Sequence, residues 1–140
     1  MANPLSMYVP IKQDSTTQSL AAAAAKNFVA NVKKGLDASQ IVHYAKLVLI
    51  PNANGKGILA IFLSTEFDGA MNPYLKFFWD NPGTQQAFAG VAALALNPPN
   101  PPVTDLNGFI NFVNQTNLSQ PADLYGAYTK TVKQINAKKS

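Results

Sequence analysis

The sequence contains no cysteine, no arginine and a single histidine, His43. Without cysteine there is no disulfide, no thiol nucleophile and no conventional Cys/His zinc site. Without arginine, the net charge of +4 rests on lysine alone. Nucleic-acid binders cluster their charge and use the guanidinium fork for bidentate contacts, so this basicity reads as a solvated surface and no nucleic-acid partner is expected. Charge of either sign is scarce: 13% of residues are charged, about half the usual share. A small domain with so few surface charges is expected to hide part of its surface in an oligomer. No apolar run reaches membrane-spanning length, and the start "MANPLSMYVPIK" has no basic segment followed by a long apolar one. The expectation is a cytoplasmic chain with no membrane partner.

Apolar residues make up 47% of 140 positions, enough for one domain with a sizeable core. Leu5 to Lys12 alternates like a strand, with Pro10 restricting it to an edge, a bulge or a strand end. Ser15-Thr16-Thr17-Gln18 fits a capping box. Leu20, Ala24, Phe28, Val32 and Leu36 then recur at helical spacing, and Gly35 can supply a left-handed cap. Ile41–Ile50 and Ile58–Phe67 form a hairpin around the turn-rich "PNANGKG". Asn72 and Pro73 read as N-cap and first residue of a helix carrying Tyr74, Phe77 and Phe78. Asn81-Pro82 interrupts it, and Thr84 opens a second piece with Phe88 and Val91. "NPPNPP", residues 97–102, is a stiff connector. A short helix capped by Thr104 or Asp105 follows, then a strand over Ala122–Tyr128 and a C-terminal helix with Val132 and Ile135.

The order predicts an α+β fold on the ferredoxin-like βαββαβ plan, as a single domain with an insertion at about 97–120 and an added C-terminal helix. Alternation places Val42, Tyr44, Lys46 and Val48 on one face of the hairpin with Ala60, Phe62, Ser64 and Glu66. His43, Ala45, Leu47, Ile61, Leu63 and Phe67 fall on the face that packs against helices.

The segments "MYVPIK", "IVHYAKLVLI" and "LAIFLSTEFDGAMNPYL" resemble the dimeric α/β-barrel superfamily of ferredoxin-like proteins. The likeness lies in His43-Tyr44-Ala45-Lys46, Phe67-Asp68-Gly69 and Tyr74-Leu75, and spans about residues 5–80. It implies a homodimer in which two open sheet faces close a barrel. The superfamily includes small cofactor-free monooxygenases, stress-responsive barrels and dye-decolourising haem peroxidases. Those peroxidases pair an Asp-Gly loop with an arginine, which this chain lacks, and no haem or other cofactor is expected.

On this reading, Tyr44, Lys46, Phe62, Ser64 and Glu66 line a pocket on the open face for a small apolar or aromatic ligand. Lys46 and Glu66 form either an acid/base pair or an interface salt bridge. His43 is the only imidazole and a general-base candidate, set against a role as a hydrogen-bonded core residue. Asp68 is weighed as a distal acid and as a carboxylate that braces the turn at Gly69. The function expected is small-ligand binding without catalysis. The alternative is a cofactor-independent monooxygenase acting on an aromatic or polyketide-like substrate.

Overall fold

In the computed structural model, residues 2–100 and 102–138 are described; Pro101 of the proline-rich connector lies outside them. Strand β1, Ala2–Pro10, buries Leu5, Met7 and Val9 and turns Ser6 and Tyr8 the other way, the period-2 pattern of a sheet with one covered face. Pro10 sits at its end, where a missing N–H does least harm. Helix α1 spans Ser15–Ser39, strand β2 Val42–Pro51 and strand β3 Ile58–Asp68. Both outer strands pair antiparallel with β3, giving the order β1-β3-β2. Thus β1 and β2 run parallel with β3 between them, joined by α1.

Helices α2 (Met71–Asp80), α3 (Pro82–Leu94), α4 (Leu106–Thr116) and α5 (Val132–Ala137) follow. Asn81 ends α2 and caps α3, its side chain accepting from the amides of Gly83 and Thr84 with Pro82 as first helical residue. The core lies between α1–α4 and one sheet face. Leu5, Met7, Ile61, Leu63 and Phe67 of the sheet meet Phe28, Tyr74, Phe78, Phe88, Phe109 and Val113 of the helices. Each such side chain contributes about 1.5–3 kcal/mol by leaving water. Tyr74 stacks on Phe67 with ring centroids 3.9 Å apart. Trp79 stacks on Phe109, so the Phe77-Phe78-Trp79 run belongs largely to the core.

Four expectations are corrected. The cap of α1 is Asp14, whose carboxylate accepts from the Thr17 amide and hydroxyl. Gln18 turns away and holds the backbone of Ile58 and Lys12. Gly35 does not end the helix but lies buried within it, and Gln40 takes the left-handed cap at φ 55°. Helix α2 begins at Met71, with Ala70 rather than Asn72 as its cap. Residues 122–128 form no strand: Pro121–Asp123 is a short 3₁₀ turn and the chain beyond it is irregular.

The place a fourth strand would take beside β1 is already in use. Ala95 and Asn117 each make an isolated antiparallel bridge to this edge. The amides of Leu96 and Leu118 donate to the carbonyls of Pro10 and Ser6, and Asn117 Oδ1 accepts the Ser6 amide at 2.9 Å. The fold is therefore α+β, with a three-stranded antiparallel sheet and five α-helices among the described residues.

Candidate functional site

The hairpin pairs in register from Tyr44↔Glu66 to Ile50↔Ala60, but its entry is irregular: Val42 faces Phe67, so two residues of β2 span one step of β3. His43 is the additional residue. A bulge of this kind bends the strand and re-aims a side chain. It also moves Val42 into register with Phe67, on the helix-covered face, correcting its expected place on the open one.

The imidazole meets Asp68, the last residue of β3, with Nε2 and Oδ1 2.8 Å apart. Both side chains are largely buried, at 14% and 9% exposure. The other carboxylate oxygen accepts the Val132 amide, the first of α5, at 2.7 Å. The Asp68 amide itself donates to the Ile41 carbonyl. Gly69 follows at φ +89°, a conformation open to glycine and costly for other residues. One carboxylate therefore joins the bulge, the end of β3 and the C-terminal helix.

A cleft of about 680 Å³ lies beside this junction, between α1, β2 and α5. Phe28, Val29, Val32 and Leu36 form its α1 wall, Val42 to Ala45 its floor, and Val132, Ile135 and Asn136 its far side. The Lys33–Asp37 ion pair, 2.9 Å across, stands on the same wall. An ionised carboxylate can only accept, so in this contact Nε2–H donates to Asp68 and the ring is held in one orientation. The arrangement sets a held imidazole among the lining of a cleft that mixes apolar side chains with Lys33, Asp37, Tyr44 and Asn136.

The residues singled out from sequence divide between two places. Tyr44 is exposed and lines the cleft with His43. Lys46, Phe62, Ser64 and Glu66 lie on the open face, where Lys46 pairs in register with Ser64 and Tyr44 with Glu66. Lys46 and Glu66 form no ion pair with each other in the single chain; the salt bridges among the described residues are elsewhere. No group of three or more histidine or acidic side chains among the described residues is placed to hold a metal ion. No described helix is long and apolar enough to cross a membrane.

No protein-family model matches this chain, and neither a curated protein nor a solved structure is significantly similar to it.

His43 and Asp68 were each visible in the sequence, but their junction was not. Strict alternation hides a bulge, and Val132 is 64 residues from Asp68. The glycine after Asp68 was the one local sign that this strand end makes a special turn.

Proposed function

We propose that this protein binds a small apolar or aromatic molecule in the cleft between α1, β2 and α5, with His43 as the polar contact. The observation behind this reading is the imidazole held by Asp68 at the wall of a cleft lined by Phe28, Val32 and Leu36. A screen of small aromatic and aliphatic compounds by thermal unfolding tests it. A compound held at a hundred times its Kd should stabilise the fold by about 2.7 kcal/mol, and the shift should shrink in His43→Ala. The expected open-face pocket is the control: if the shift is lost in Lys46→Met and Glu66→Gln but kept in His43→Ala, the ligand sits there instead.

The imidazole held by Asp68 favours a second reading, a cofactor-independent oxygenase in which His43 acts as base. Oxygen uptake with a quinol substrate, abolished in His43→Gln, is the result expected of that enzyme.

A homodimer belongs to the same proposal. Its support is the low charge of the chain and a sheet with one bare face, where Tyr44 and Val48 are exposed. Closure of two such faces into an α/β barrel is the arrangement the sequence resemblance implies. A monomer in sedimentation at micromolar concentration would remove the dimer from the reading.

A further inference from the structure

Helix α5 is the least anchored wall of the cleft. Val132, Ile135 and Asn136 contribute to the lining, yet none of its residues is buried. The chain that leads into it, residues 125–130, is irregular and exposed throughout. Between residues 125 and 138, the hydrogen bond to the rest of the described chain runs from the Val132 amide to Asp68 Oδ2, at 2.7 Å. A segment with so little burial and so few bonds to its surroundings opens at low cost, without the core.

The start of α5 is otherwise self-contained. Thr131 Oγ1 accepts the Gln134 amide, and Gln134 Oε1 accepts the Thr131 amide, a reciprocal capping box. Both bonds travel with the helix. The Val132 amide is an orphan donor that the box leaves over, and Asp68 takes it. The same carboxylate holds His43 through its other oxygen. Opening of α5 therefore releases Oδ2 and leaves Oδ1 on the imidazole.

We propose that residues 125–138 form a strap over the cleft. Helix α5 swings away to pass a ligand, the Asp68–Val132 bond latches it shut, and His43 stays in place throughout. The proposal rests on the cleft reading above and adds how that site is entered. A ligand lying against α1 and β2 also covers the inner sides of Val132 and Ile135, so occupancy favours the closed strap.

The chain has no cysteine of its own, so one introduced thiol reports access to the cleft. Ala45→Cys places it on the half-buried floor. Ser64→Cys places a control on the open sheet face, also half-buried. Val132→Pro deletes the latching N–H at the first helical position, where proline is tolerated. Thr131, at φ −72° and ψ 163°, already has the extended backbone that precedes proline. Val132→Ala shortens the side chain and keeps the N–H. Reaction of the full chain with dithiobis(nitrobenzoate) should run about tenfold or more faster in Ala45→Cys once Val132→Pro is added. It should change little with Val132→Ala, and the Ser64→Cys rate should not move. Equal acceleration by the two Val132 variants, equal acceleration at the two thiols, or none at all, overturns the strap. Circular dichroism is the folding control. If Val132→Pro does not fold, amide exchange in the unaltered chain decides: Val132 should exchange through an opening that leaves β3 protected, and protection matching that of β3 overturns the strap. Neither measurement uses a ligand, so both judge the strap apart from the compound screen, which judges the binding reading.

Discussion

At the scale of single residues, Asp68 carries more than its position suggests. Its two oxygens serve His43 and Val132, so Asp68→Ala leaves two donors without acceptors at once. The expected cost is about 1–3 kcal/mol for the charge-assisted contact, with faster amide exchange at Val132 as the local readout. Asp68→Asn keeps one acceptor and should cost less; urea melts of the two variants check the order. Tyr74 is the second such residue. Its hydroxyl donates to Thr65 Oγ1 at 2.7 Å inside the core, and burial pushes its phenol well above the ordinary range, against a smaller opposing effect of the Thr65 contact. The folded pKa is raised, so this contribution is complete below the unfolded value of about 10 and is lost as pH rises beyond it. Wild type should therefore lose stability in alkali more steeply than Tyr74→Phe, as denaturant midpoints between about pH 9 and 11 would show. Both side chains were nameable from sequence. Their partners were not, because one contact needs a bulge and the other needs the angle between β3 and α2.

Among the elements, those with a strong period were legible and those decided by competition were not. The hairpin, the long first helix and the Asn81-Pro82 joint follow from alternation, 3.6-residue spacing and capping chemistry. The capping box at Ser15 gave way because Asp14, one residue earlier, offers a carboxylate to Thr17, and Gln18 is then free to hold Ile58. The strand read over residues 122–128 has strand-forming tyrosines, but Tyr125 and Tyr128 are each 88% exposed. The only edge it could have joined in the ferredoxin-like order is occupied by Leu96 and Leu118. Face assignment leads to a stability prediction. Leu63 is 2% exposed in the core, and Leu63→Ala should cost about 2–5 kcal/mol in urea melts. Leu47 is its neighbour in register but only half-buried, and Leu47→Ala should cost distinctly less.

For the molecule as a whole, the α+β class was legible because one-sided strands and amphipathic helices both declare a covered and an uncovered face. How the chain shuts its own first edge was not, since that depends on contacts between segments far apart in sequence. Asn117 is the clearest of these. Its Oδ1 accepts from both Ser6 and Ser119, and Asn117→Ala should unseat the Leu118 segment from β1. The expected outcome is a modest loss of stability, about 1–2 kcal/mol, together with faster light-scattering growth on storage, since a second sheet edge opens. The same closure imposes an order in time. A nascent chain completes its three strands at Asp68, yet the segment that covers β1 ends with Leu118. At about 5–20 residues per second, the young sheet spends several seconds before its β1 edge is fully covered, first by Leu96 and then by Leu118. Its vulnerable period is thus set by the pace of the ribosome, and slowing translation between Asp68 and Leu118 should lower the soluble yield even though the finished protein is identical.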